Sequence, residues 1–227
     1  MSVQTSSHKG FTLIELTICV SIFVFMTVLL IVKYGTFNQS TLLTDLTYDL
    51  ALVMRQAQTY GLSVVNASTT SATFQFPYGI SFSTTALKPT DDQNVLGSTR
   101  AILFADSYNS TLQTAGSDGI YTYTLGNAGQ SDMVENIYNL TRGAYISSLC
   151  IGTGNVSNGK PDCSTPVNSL HITFKRPNPE AIICGIIPYG SNPCPSTPAL
   201  YSEITISGSD GSTRKFTISS NGQMSVQ

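Results

Sequence analysis

The apolar run at 11–32 constrains the chain more than any other stretch, because it carries one charge, Glu15, and no proline. At about 1.5 Å per residue a helix of that length covers roughly 33 Å, enough for a bilayer's hydrocarbon core. A buried helix of a soluble domain is a poor alternative, since such helices rarely stay apolar on every face for so long. A cleaved secretory signal would place small residues after the run, whereas Lys33, Tyr34, Gly35 and Thr36 follow it. A simple membrane anchor fits the hydropathy but leaves Glu15 without a purpose. A carboxylate in lipid is costly enough to require a partner.

Immediately before the run stands Lys9-Gly10-Phe11-Thr12-Leu13-Ile14-Glu15. This junction closely resembles the processing site of type IV prepilins and pseudopilins. The resemblance implies that a prepilin peptidase cuts between Gly10 and Phe11, that the new Phe11 amine is methylated, and that Glu15 serves assembly. Residues 1–10 are then a leader peptide and 11–32 the membrane-spanning half of a longer helix. Glu15 lies about one helical turn from the freed amine. An amine and a carboxylate that are both costly in lipid can neutralise each other, within or between subunits.

Beyond the membrane the periodicity remains helical. Leu43, Leu46, Leu50, Val53, Ala57 and Tyr60 advance by alternating steps of three and four, while Asp45, Asp49, Arg55 and Gln58 fall off that stripe. The spacing predicts an amphipathic half-helix over 33–61 with one face against a folded domain, and Gly61 as its C-cap. Members of the resembled family often carry a proline in the membrane half. Here the first proline is Pro77, which leaves Gly35 as the one weak point of the helix.

From 62 to 227 the period becomes two, and Gly, Pro, Asn and Ser punctuate short runs. Strands are predicted over 62–66, 72–76, 79–83, 100–105, 120–125, 144–149, 169–175, 181–187, 202–207, 213–218 and 223–226. Gly208-Ser-Asp-Gly211 and Asn221-Gly222 are placed as hairpin turns. The expected fold is α+β: a long N-terminal helix packed on an antiparallel β-rich domain, as in pilins. The helix segment 46–61 and the terminal hairpin make the closest likeness the H-type minor pseudopilins of type II secretion and related minor pilins. Polar or proline-rich stretches at 84–98, 109–118, 152–167 and 188–198 are expected to carry partner-specific surface.

Of the five cysteines, Cys19 falls in the membrane segment and Cys150, Cys163, Cys184 and Cys194 fall late. Four in an exported domain suggest two disulfides; the pairing 150 with 163 and 184 with 194 would close two short loops. A metal site is the alternative, but neither spacing forms C-x-x-C and no histidine adjoins them. Asp106, Asn109 and Asp118 place oxygen ligands around a glycine turn and form a calcium candidate, although Asp-Gly is first of all a turn. No other cofactor is implied.

Charged residues are only 11% of the chain and its formal net charge is −2, so no basic run offers a grip on nucleic acid. The two histidines are His8, in the leader, and His171, on a strand opposite Leu170 and Ile172. With no G-x-S-x-G, no phosphate loop and one histidine after processing, no catalytic constellation is expected. The resemblance implies a structural subunit of a type IV pilus or type II secretion pseudopilus. It would sit as a single-pass protein of the bacterial cytoplasmic membrane with its C-terminal domain outside the cytoplasm, and then in a filament. The implied partners are other pilin subunits, the prepilin peptidase, an assembly ATPase and a platform protein. The alternative is a tethered or filament-displayed adhesin that uses the helix only as an anchor.

Overall fold

A computed structural model describes residues 10–63, 76–88, 91–109, 112–115, 117–152, 156–157, 160–161, 163, 165–187 and 199–227, with the backbone alone at 33–38, 114–115, 128, 156–157 and 160–161. The predicted leader through Lys9, most of the predicted strands 62–66 and 72–76, and Cys194 lie outside the described residues.

Helix α1 (Leu13–Leu62) runs without interruption for 50 residues, and its backbone is helical through Gly35. Its first part belongs to one compact unit, Met1–Gln39, and the remainder to a second, Ser40–Gln227. In the second unit Leu43, Leu50, Val53 and Ala57 of the predicted stripe are buried, joined by Met54 and Thr47; Leu46 and Tyr60 pack at its edge. Thr47 tolerates burial because its hydroxyl donates to the Leu43 carbonyl at 2.5 Å.

The strands are β1 (Tyr78–Ser83), β2 (Arg100–Ala105), β3 (Tyr108–Asn109), β4 (Thr114–Ala115), β5 (Met133–Asn139), β6 (Tyr145–Gly152) and β7 (Val156–Ser157). They continue with β8 (Lys160–Pro161), β9 (Thr165–Val167), β10 (Ser169–Phe174), β11 (Ala181–Ile186), β12 (Tyr201–Ser207), β13 (Thr213–Ser219) and β14 (Met224–Val226). Two antiparallel five-stranded sheets result, ordered β11-β10-β1-β2-β5 and β14-β13-β12-β6-β9. β3 with β4 and β7 with β8 form small ribbons.

The chain thus has an N-terminal apolar helix and a C-terminal antiparallel β domain, in keeping with α+β. Ile80 and Phe82, Ala101 and Leu103, and Leu170, Ile172 and Phe174 alternate onto the inner face of the first sheet. They share one core with Ile146, Leu149, Ile204, Ile206, Phe216 and Ile218 of the second sheet and with the helix stripe. Arg214 of β13 fastens the helix start of this unit, donating to Thr44 Oγ1 at 3.1 Å and Ser40 Oγ at 2.9 Å.

Three local expectations change. Gly61 is no C-cap, because α1 continues through Leu62; a side chain there would collide with the Phe174 carbonyl and sit 2.8 Å from Phe174 Cβ. Glycine allows the helix to touch the end of β10. Segment 120–125 is not a strand, because side chains capture its amides. Ile120 N–H donates to Asp118 Oδ1, Tyr121 N–H to His171 Nδ1, Thr122 N–H to Asp132 Oδ2 and Thr124 N–H to Ser131 Oγ. The outer strand is instead β5, whose Met-Val-Glu-Asn-Ile-Tyr-Asn sequence alternates poorly because it pairs on one side only.

Candidate functional site

The N-terminal junction is built around the first turn of α1. Glu15 Oε2 accepts both the Thr12 N–H, at 2.9 Å, and the Thr12 hydroxyl, at 2.8 Å. In return the Glu15 N–H donates to Thr12 Oγ1 at 3.3 Å. This is a capping box, which satisfies amides that the first turn would otherwise leave unpaired and sets a carboxylate at the positive end of the helix dipole. Its signature, Thr-x-x-Glu, is legible in the sequence. Phe11 precedes it, 82% exposed, and apart from Gly10 and its chain neighbours no heavy atom of the described residues lies within 4 Å of the point where a Gly10 side chain would begin.

Leu13–Val32 is one helix long and apolar enough to cross a membrane, and none of it is buried. Its hydroxyls are satisfied internally: Thr17 donates to the Ile14 carbonyl, Ser21 to that of Ile18 and Thr27 to that of Phe23, at 2.7 to 2.9 Å. Glu15 is thus its one unneutralised polar group, and Cys19 is an exposed free thiol. So large an exposed apolar surface must be covered by lipid or protein.

Asp106, Asn109 and Asp118 do fall in one cluster, but their oxygens face N–H groups. Asp106 accepts the amides of Asp118 at 3.2 Å and Gly119 at 2.7 Å, while Asp118 Oδ1 accepts Ile120 N–H and Asn109 Oδ1 accepts Leu112 N–H. Asp132, which the sequence reading missed, accepts three more: Ser107 and Tyr108 on Oδ1, Thr122 on Oδ2. Nothing local in the sequence connects Asp132 to a turn 24 residues away. Burial first, and then the neighbouring Asp132, push the Asp106 carboxyl up to about 8; burial pushes Asp132 up to about 7. As folded, the cluster clasps the backbone amides of 107, 108, 112, 118–120 and 122.

His171 lies 1% exposed under that clasp. Its Nδ1 meets Ser81 Oγ at 2.5 Å and accepts Tyr121 N–H at 3.2 Å, which puts the ring proton on Nε2; burial holds its pKa down at about 3. The Ser81–His171 pair is sealed beneath Tyr121, which packs on Phe104 at 5.2 Å between ring centroids. It therefore braces the outer face of the first sheet.

Cys150 and Cys163 are disulfide-bonded, with Cα atoms 5.5 Å apart. Cys184 is also disulfide-bonded; Cys194, its expected partner, lies outside the described residues. Among the described residues the one grouping of metal-type ligand atoms is Cys150, Cys163 and Glu203, whose sulfurs the disulfide consumes. No protein-family model, curated protein or solved structure matches this chain.

Proposed function

We propose that this chain is a structural subunit of the type IV pilin kind, most like the H-type minor pseudopilins. In this reading it is cut after Gly10, methylated at Phe11 and assembled through its N-terminal helix. The supporting observation is the coincidence of an open Gly10-Phe11 junction with a capped helix whose exposed apolar surface carries a single carboxylate.

The capping box suggests how Glu15 serves two stages. Oε2 is held on its own chain by Thr12, whereas Oε1 receives no hydrogen bond from any described residue. Removal of the leader would free the Phe11 amine. Pairing of a neighbouring subunit's amine with Oε1 then offsets the cost of both charges in lipid. Helix–helix burial replaces lipid contact as the subunit enters a filament. The peptidase, an assembly ATPase, a platform protein and other subunits are the partners this requires. Before assembly the protein is held in the bacterial cytoplasmic membrane with its β domain outside the cytoplasm.

Recovery in sheared filaments tests the proposal. The unaltered protein is expected there, whereas Glu15→Ala should stay in the membrane fraction. Equal recovery of both would refute an assembly role for the carboxylate.

A further inference from the structure

The first sheet carries a groove that the N-terminal reading does not use. It lies along β5 and the 123–127 turn and encloses about 980 Å³, at the upper end of the roughly 300–1,000 Å³ of ligand sites. Its lining includes Asn94, Tyr123, Asn127, Glu135, Asn136 and Asn139 and, among the described residues, contains no lysine or arginine. The nearby cation, Arg100, is engaged elsewhere: its Nη1 donates to the carbonyls of Asp92, Gln93 and Val95 and so shapes one wall.

The side-chain amides of Asn94, Asn127 and Asn139 make no hydrogen bond to any described residue, and Asn136 uses only its Oδ1, for the Ile137 amide at 2.8 Å. Tyr123 packs half-buried on the Ile102, Phe104 and Tyr121 cluster and presents an aromatic surface in the wall. Pairing of β2 with β5 passes from Leu103↔Asn136 to Phe104↔Val134, so Glu135 is an extra residue on the outer strand. Such a bulge re-aims its side chain and, with its charge, blocks addition of another strand to the edge.

We propose that this groove binds an uncharged oligosaccharide. Planar amides can donate to and accept from sugar hydroxyls simultaneously, a carboxylate accepts from a pair of them, and an aromatic ring covers the apolar face of a pyranose. The absence of cations in the lining disfavours sulfated, sialylated or phosphorylated ligands, and the Glu135 bulge disfavours an extended peptide. The site is independent of Gly10, Phe11 and Glu15, so failure of the processing reading would leave it standing, and the reverse also holds.

The test uses the full chain in phospholipid nanodiscs free of glycolipid and glycoside detergent. The probes are neutral oligosaccharides of hexose and N-acetylhexosamine units, with sialylated and sulfated oligosaccharides and extended peptides alongside. Neutral oligosaccharides should be retained and the other probes should not. Asn127→Ala and Glu135→Gln, both at exposed positions, should each weaken retention about tenfold, ~1.4 kcal/mol, with the exposed Asn168→Ala as an unchanged control. Retention of no neutral oligosaccharide, retention by the two variants equal to that of the unaltered chain, or preference for peptide or anionic glycan would overturn the proposal.

Discussion

Thr12 and Glu15 satisfy each other at the start of α1: the hydroxyl donates to Oε2 at 2.8 Å while the Glu15 amide returns to Oγ1 at 3.3 Å. Thr12→Val keeps the shape and removes the hydroxyl from both bonds. It should cost about 1 kcal/mol of local helix stability, read as faster hydrogen exchange of the Glu15 and Leu16 amides. Unchanged protection there would show that the cap does not hold the first turn.

At Gly61 two effects oppose each other. Replacing a helical glycine by alanine normally gains about 1 kcal/mol, but a Cβ here would lie 2.8 Å from Phe174 Cβ and 2.9 Å from its carbonyl carbon, as well as striking the carbonyl oxygen. Backbone cannot yield as a side-chain tip can, and overpacking costs about 1–3 kcal/mol. Gly61→Ala should therefore lower the melting temperature; a stabilised variant would contradict the close approach of α1 to β10.

The Asp106 and Asp132 pair makes the β domain sensitive to pH. Both carboxyls have folded-state pKa values raised above the ordinary 3.8, to about 8 and about 7, chiefly by burial. The folded state thus holds protons that the unfolded chain releases. Their stabilising contribution is full below the ordinary value and declines as pH rises through the raised ones. Urea midpoints should fall between about pH 5 and about pH 8. Asp132→Asn should flatten that slope while costing about 1–3 kcal/mol, since one amide oxygen cannot serve donors on both sides. A midpoint rising with pH would reverse the assignment.

The Cys150–Cys163 bridge closes a sequence separation of 13 residues. Loop-closure entropy gives such a crosslink about 3 kcal/mol. A paired Cys150→Ala, Cys163→Ala variant isolates this bridge from that of Cys184, which a reductant would also break. Its unfolding free energy should drop by that amount, seen as a lower denaturation midpoint, and an unchanged midpoint would mean that the loop is held by other contacts.

What was legible in the sequence is what depends on local period and composition. The unbroken helix and its stripe followed from steps of three and four, and β2, β10, β11, β12 and β13 followed from alternation bounded by turns. In the first sheet only β5 was missed, but which face of the sheet is outer was not legible, because both faces are covered: Ser81, His171 and Thr173 are as buried as Ile80 and Ile172. Polarity therefore does not mark its outer side. Segment 120–125 has strand-like alternation, yet its amides go to Asp118 and Ser131 nearby and to Asp132 and His171, the last of which only tertiary structure brings there. Asp106, Asn109 and Asp118 accept backbone amides between two and 13 residues further along the chain. Asp132 and the Glu135 bulge have no local signature at all.

The central claim rests on the bond between Gly10 and Phe11, and intact mass with N-terminal peptide sequencing of the membrane-extracted protein from its native host tests it most directly. The account predicts a chain that begins at Phe11 with a methylated amine. A mature protein that still begins at Met1, or one cut after 32, would contradict it.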